Sequence, residues 1–168
     1  MSIYFYLGAN IHQDALDIIR SSADTTVLYE REDAGHVMNT LADLEGAGRA
    51  FSIDRSAVER AGRAHCESSV DARERIVRAV LSDFKVFLLR MRFLRVDIDG
   101  AFEGFGYFSD VVDYALGLAE RRRPSTVFCA YTPHTVEAWL VVRTLEELGA
   151  RVVRLIVSPL PWVSLPVE

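Results

Sequence analysis

The sequence predicts an α/β fold, a three-layer Rossmann-like domain with a mainly parallel sheet of about five strands. Two observations predict it: a strand–helix–strand pattern near each end of the chain, and a composition that is 50% hydrophobic and 26% charged. Strand–helix–strand units build parallel sheets, and 168 residues are enough to enclose one core. We therefore expect residues 1–168 to form a single domain.

The first strand–helix–strand pattern lies at the N-terminus. A β-rich run at 2–9 is followed by helical spacing of apolar residues over 10–23, and "TTVLYE" at 25–30 predicts a second strand. Asn10 and Gln13 have the spacing of a helix capping box. These elements predict a parallel pair of strands joined by a helix.

The second pattern lies near the C-terminus. "TVFCAY" at 126–131 predicts a buried strand, 134–148 has the apolar spacing of a helix, and "RVVRLIV" at 151–157 predicts another strand. Gly149 is a typical helix stop. This pattern supplies the second half of the predicted parallel sheet.

The middle of the chain predicts further helices with one short strand between them. We expect a helix at 36–48, a strand at 49–53, a helix at 54–62, a long amphipathic helix at 70–94, and an aromatic, glycine-containing loop at 97–110 that feeds a helix at 109–122. The loop is expected either to pin one helix to another or to cover a ligand.

Charge and cysteine content exclude several classes of protein. The net charge of −5 argues against a nucleic-acid partner, which needs a concentrated basic surface. For the run at 121–123 we expect a role at a helix end, with anion contact as the alternative. Cys66 and Cys129 have no CxxC spacing, so neither a disulfide framework nor a zinc site is indicated. The start of the chain does not resemble a signal peptide, which favours the cytoplasm.

Loops that follow strands are the expected ligand sites of a parallel sheet, and they select three segments, 8–12, 30–36 and 131–135. The candidate histidines lie in the first and the third. Asn10 and His12 follow the first strand. After the strand at 126–131, Thr132 is a good N-cap and Pro133 fits the first helical position, which places His134 in the first helical turn. A neutral imidazole there could accept a proton, but filling a loop position is the open alternative. Thr132 and Thr135 are either caps or ligand contacts.

Several common sites are not indicated by the sequence. Gly8 is the only glycine of the first turn, so no dinucleotide or phosphate-loop motif exists, although a single anion at a helix N-terminus remains open. No nucleophile elbow occurs. We expect no cofactor and no metal. The acidic residues near the strands are expected to be solvated rather than metal ligands: Glu30, Glu32, Asp33, Asp97 and Asp99.

The string "TVFCAYTPHTVEAWLVVRTLEELGARVVRLIVSPLP", residues 126–161, resembles the N-terminal Rossmann-like domain of bacterial capsular and surface polysaccharide biosynthesis proteins, which are glycosyltransferases of the two-domain GT-B kind. The resemblance implies that Pro133 and His134 face a cleft. It places His12 in the region where many such enzymes have a catalytic base, although no motif match supports this. The implied function is an acceptor-side domain that binds a sugar or lipid-linked glycan acceptor.

The same resemblance implies that a nucleotide-sugar donor binds only with a second domain, which 168 residues do not contain. The proline-rich end around Trp162 suggests a longer architecture, or a surface for a homodimer or domain contact. By itself the chain is then not a complete enzyme, and its expected place is the cytoplasm or the inner face of the membrane. The competing hypothesis is a standalone, non-enzymatic Rossmann-like module that senses a small anionic ligand.

Overall fold

The computed structural model describes seven segments of the chain, residues 2–7, 13–30, 38–62, 70–93, 101–133, 135–157 and 164–167. It confirms the three-layer α/β, Rossmann-like fold with five parallel strands. The chain divides into two compact units. The sheet unit comprises Met1–Asp54, Pro124–His134 and Ala150–Glu168, and the helical unit comprises Arg55–Arg123 and Thr135–Gly149.

The sheet unit has six strands in the order β3-β2-β1-β4-β5-β6. The strands are β1 Ser2–Tyr6, β2 Thr25–Tyr29, β3 Ala50–Ser52, β4 Pro124–Cys129, β5 Arg151–Val157 and β6 Ser164–Val167. The first five are parallel, and β6 pairs with β5 antiparallel. β6 was not predicted because Pro166 argues against a strand, but an edge strand tolerates proline.

Two helices belong to the sheet unit and cover an apolar cluster. They are α1 Gln13–Ser21 and α2 Met38–Gly46, and both end two residues before the predicted end. Their buried leucines and isoleucine pack with strand residues: Leu16, Ile19, Leu41 and Leu44 with Val27, Tyr29 and Ala50. Removing this apolar surface from water is the main stabilising contribution to such a layer.

Arg49 joins the end of α1 to the start of β2. Its guanidinium donates to the carbonyl oxygens of Ile19 at 2.5 Å and Thr25 at 3.2 Å, and also to the carbonyl of Ser22. Carbonyls at the end of a helix lack partners within the helix, and a cation there is favoured by the helix dipole. Arg49 therefore fixes the turn between these two elements.

The helical unit contains the remaining helices. They are α3 Arg55–Gly62, α4 Val70–Val80, a 3-10 turn Leu81–Asp83, α5 Phe84–Phe93, α6 Ala101–Arg121 and α7 Val136–Glu147. The helix predicted at 54–62 is confirmed as α3.

The prediction of one continuous helix over 70–94 was wrong, because the 3-10 turn divides it. Ser82 and Asp83 have weak helix propensity, and Asp83 accepts a hydrogen bond from Arg143 of α7 at 3.0 Å. A 3-10 turn changes the rotation per residue, so α4 and α5 direct their apolar faces independently.

The prediction of a loop at 97–110 was also wrong from residue 101 onwards, because α6 begins there. Residues 94–100 lie outside the described segments. Phe105 and Phe108 contact Phe84 of α5 at ring-centroid distances of 5.5 and 5.3 Å. This packing compensates for the poor helix propensity of the glycines. The expectation that the aromatic residues pin one helix to another is thus supported, and the site-covering loop is not.

The basic run lies at the end of α6, with Arg121 in its last turn, where a cation is favoured by the helix dipole. Arg123 instead donates to the carbonyl of Leu148 at 2.7 Å, at the end of a different helix, α7. Gly149 follows with a φ of +94°, which confirms it as the helix stop.

Candidate functional site

The strand order of the sheet unit defines one edge where a ligand crevice is expected. The sequence order of the strands runs outward in both directions from β1 and β4, so it reverses between these two strands. In open α/β sheets, ligands bind beyond the carboxyl ends of the strands at such a reversal. A ligand crevice is therefore expected at the edge formed by the carboxyl ends of β1 and β4.

The ends of these strands are held in register by backbone hydrogen bonds. Tyr6 of β1 pairs with Cys129 of β4, and the Ala130 amide donates to the Tyr6 carbonyl at 3.0 Å. On the other side, the Leu7 amide donates to the Leu28 carbonyl of β2 at 3.0 Å. The segments that leave β1, β2 and β4 therefore start side by side from a rigid edge.

The segment after β1 contains two of the predicted site residues. Asn10 and His12 lie outside the described residues, so their roles stay predictions. α1 begins at Gln13. In the sequence, both residues fall between β1 and the first described residue of α1.

The segment after β4 contains the other predicted site residues. Thr132 is exposed and Pro133 is buried, while His134 lies outside the described residues. Because Pro133 is packed away from solvent, its side chain is not accessible to a ligand. Thr132 has the accessibility that a ligand contact needs.

The start of α7 differs from the prediction. Thr135, not Thr132, is the N-cap: its hydroxyl accepts a hydrogen bond from the Ala138 amide at 3.2 Å. Pro133 is accordingly not at the first helical position. Both threonines are suitable caps by residue type, so the sequence could not choose between them. Because α7 begins at Val136, position 134 precedes the helix, and the argument that the first turn keeps His134 neutral no longer applies.

Glu30 was expected to be solvated, but it is buried, with 8% of its surface exposed. It directly follows β2, and its carboxylate accepts a hydrogen bond from the Tyr6 hydroxyl at the end of β1. A buried carboxylate needs hydrogen-bond partners, because burial removes its water. The Tyr6–Glu30 pair thus ties two strand ends together beside the candidate crevice. The β-rich run at 2–9 predicted the strand that contains Tyr6, but its sequence does not indicate which of its residues are buried.

Metal binding finds no support in the described segments. They contain no group of three or more His, Cys, Asp or Glu side chains positioned to hold a metal ion. Asp97 and Asp99 lie outside these segments, as do Glu32 and Asp33. Cys129 is buried at the end of β4.

The helical unit contains a second buried acid that the sequence did not reveal. The Tyr107 hydroxyl of α6 donates to Glu137 Oε1 of α7 at 2.5 Å, and both residues are buried. The Arg55 guanidinium lies over the Tyr107 ring, 5.4 Å from its centroid. Arg55 Nε also donates a hydrogen bond to Glu59 Oε1 at 2.8 Å. Burial, and then the adjacent Glu137 carboxylate, raise the pKa of Tyr107 far above its ordinary value. Tyr107 therefore remains a hydrogen-bond donor at physiological pH.

This cluster marks one end of the helical unit. Arg55 is the first residue of α3 and Glu137 lies in the first turn of α7, so both N-termini meet at Tyr107. A carboxylate in the first turn is favoured by the helix dipole. The cluster is a packing contact between three helices that also fixes the start of α7.

Comparison of the chain with protein-family models, with curated proteins and with solved structures found no match. No helix in the described part of the chain is both long and apolar enough to cross a membrane.

Proposed function

We propose that the chain is the acceptor-side domain of a glycosyltransferase-like protein in bacterial surface or capsular polysaccharide biosynthesis. It would bind a sugar or lipid-linked glycan acceptor at the carboxyl ends of β1 and β4, at the cytoplasmic face of the inner membrane. A nucleotide-sugar donor would be bound only together with a second domain. The chain alone would not complete the transfer.

The observation that carries the proposal is the reversal of strand order between β1 and β4. The two histidine-containing segments, 8–12 and 131–135, leave the sheet from these two strands. The sequence resemblance implies that the Pro133–His134 pair faces a cleft, and the strand order favours the same edge. Pro133 itself is buried, so the candidate contacts of this segment are Thr132 and His134.

The proposed chemistry is attack by an acceptor hydroxyl on the anomeric carbon of the donor, with loss of the nucleotide. The hydroxyl proton passes to a general base as the new glycosidic bond forms, and the nucleotide leaves with the bonding electron pair of the broken bond. His134 or His12 is the candidate base, because imidazole titrates near neutral pH. Thr132 and Asn10 would contact the acceptor, and Pro133 would fix the segment. Thr135 would act through the start of α7.

A sugar-transfer assay on the longest native reading frame tests this proposal. We expect His134→Ala to lower the transfer rate by about a hundredfold, the order of a general-base contribution. His65→Ala is the matched control, since it removes a histidine outside the predicted site segments. Transfer that is unchanged in both His134→Ala and His12→Ala would remove histidine catalysis from the proposal.

The alternative function is a standalone, non-enzymatic module that binds a small anion at the same edge, without sugar transfer. The absence of a dinucleotide motif from the sequence favours a small ligand in this case. Isothermal titration with inorganic phosphate distinguishes the two: saturable binding together with no transfer activity in the longest native reading frame supports the alternative.

A further inference from the structure

An arginine and a tryptophan meet between helices α5 and α7 of the helical unit. The Arg90 guanidinium lies over the Trp139 ring, 4.9 Å from its centroid, and both residues are half-buried. The ring attracts the cation and restricts its position. The indole nitrogen is a hydrogen-bond donor and not an acceptor, so this contact does not satisfy the N–H groups of the guanidinium.

Arg90 differs from other arginines that join elements of this unit, because within the described segments no carboxylate is bonded to it. By contrast, Arg73 bonds Asp113 at 2.5 Å, and Arg143 bonds Asp83 at 3.0 Å. A shortage of acids does not explain the difference, since the chain has 24 acidic and 19 basic residues. Arg90 is therefore a positioned cation whose N–H donors are available to a ligand.

This pair lies close to the candidate segment 131–135. Thr135 is the N-cap of α7, and the Trp139 amide donates to the Thr135 carbonyl at 3.2 Å, one helical turn further on. Both side chains are half-buried, whereas residues 136–138 and 140–142 are buried. Positions four apart share one face of a helix, and side chains lean towards its N-terminus. A ligand at Thr135 would therefore have Trp139, with the Arg90 guanidinium over it, on the same face of α7.

The guanidinium determines the chemical class of this ligand. Its planar group of N–H donors matches a carboxylate or a phosphate, to which arginine donates two parallel hydrogen bonds. Half-burial between two helices also strengthens the attraction to an anion, because less water screens the charge. An uncharged hydroxyl would gain less, since hydrogen bonds that involve an ionised acceptor are about twice as strong as neutral ones.

We propose that Arg90, positioned by Trp139, binds a carboxylate or phosphate group that is carried by a sugar. This inference rests on the proposed function for the sugar, and it deepens that function by naming the acceptor as an acidic glycan. A hexuronate would supply the carboxylate, and a sugar phosphate or a lipid-linked glycan would supply the phosphate. Arg90 would contact the ligand, whereas Trp139 would act through Arg90.

An NMR titration of the purified chain tests the inference, with glucuronate, glucose 6-phosphate and uncharged glucose as ligands. We expect the Arg90 Nε–Hε signal to shift on saturation with an acidic sugar. Glucose should bind at least about tenfold more weakly, since it offers no anion. The tighter of the two acidic sugars identifies the group as a carboxylate or a phosphate.

Three variants separate the roles of the side chains. Arg90→Gln should weaken binding of the acidic sugar at least about tenfold. Trp139→Leu should weaken it about threefold, through loss of the contact that positions the guanidinium. The matched control is Lys85→Gln, which removes one charge from an exposed residue of the same helix, so binding should not change.

Several outcomes would overturn the inference. They are no binding of either acidic sugar, equally tight binding of glucose, an Arg90 signal that does not move at saturation, and equal effects of Arg90→Gln and Lys85→Gln. Inorganic phosphate that binds as tightly as glucose 6-phosphate would overturn the assignment to a sugar. Circular dichroism checks that each variant is folded, and the wild-type Arg90 signal decides if one is not.

The two proposals can fail separately. Absence of acidic-sugar binding, together with intact sugar transfer in the longest native reading frame, would overturn this inference alone. Binding at Arg90 without sugar transfer would overturn the proposed function alone.

Discussion

At the scale of single residues, the described segments contain two buried glutamates, and each accepts a hydrogen bond from a tyrosine. Glu30 with Tyr6 joins two strand ends, and Glu137 with Tyr107 joins two helices. A lone glutamate in a sequence is ordinarily interpreted as exposed, because burial of an unpaired charge is costly. The pairing partner lies 24 or 30 positions away, so a local pattern cannot reveal it.

Removal of the Tyr107 hydroxyl should destabilise the fold. Tyr107→Phe leaves the buried Glu137 carboxylate without this donor, and we expect a loss of about 1–3 kcal/mol in the free energy of unfolding. Urea denaturation measures it. Tyr131→Phe is the control, because Tyr131 is only partly buried. A Tyr107→Phe variant as stable as the wild type would contradict the assigned hydrogen bond.

The raised pKa of Tyr107 predicts how stability changes at high pH. The unfolded chain releases this proton near the ordinary value of 10.0, whereas the folded chain retains it. The stability that protonated Tyr107 contributes is therefore fully present below about pH 10, and it is lost as the pH rises above that value. Unfolding free energies measured from pH 8 to 11 should fall less steeply in Tyr107→Phe. Parallel curves would show that Tyr107 does not titrate differently in the two states.

At the scale of elements, local patterns predicted the strands and most helices, and packing decided where the helices begin and end. The β-rich and apolar runs predicted all five parallel strands, because continuous apolar runs suit strands that are buried on both faces of a parallel sheet. The division of 70–94 and the start of α6 depend on contacts with Arg143 and Phe84, which are distant in sequence. The N-cap of α7 was missed because Thr132 and Thr135 are chemically equivalent candidates.

Substitution of the two threonines before α7 tests whether Thr135 or Thr132 is the N-cap of the helix. Thr135→Ala removes the cap to the Ala138 amide, and we expect a loss of about 1 kcal/mol in unfolding free energy. Thr132→Ala should change stability by less than about 0.5 kcal/mol, since Thr132 is exposed. Thermal denaturation compares them. The reverse ranking would restore Thr132 as the cap.

Two glycines should respond oppositely to alanine. Gly106 lies within α6 with open space where a Cβ would stand, so Gly106→Ala should stabilise the protein by about 0.5–1 kcal/mol. Gly149 has a φ of +94°, so Gly149→Ala should destabilise it by about 1 kcal/mol. The midpoints of urea denaturation report both changes. Equal signs would contradict either the α6 assignment or the turn at Gly149.

At the scale of the whole molecule, the strand order identifies the edge of the sheet at which a ligand site is expected. The sequence predicted a parallel sheet and named His12 and His134 as strand-following residues, but it could not show that β1 and β4 are neighbours. That adjacency joins strands more than 100 positions apart, since Tyr6 pairs with Cys129. Because of this adjacency, the two predicted segments start from one edge of the sheet. The proposed function depends on a ligand binding at that edge.

The most direct measurement of this claim is the change in backbone amide chemical shifts on titration with hexoses, hexose phosphates and inorganic phosphate. We expect shifts concentrated at Leu7, Glu30, residues 130–132 and residues 134–135, at the carboxyl ends of the strands; Pro133 has no amide proton. We expect no comparable shifts at Arg49 and Ala150, which precede β3 and β5 at the opposite edge. Shifts confined to Arg49 and Ala150, or none at residues 130–135 with any of these compounds, would contradict it.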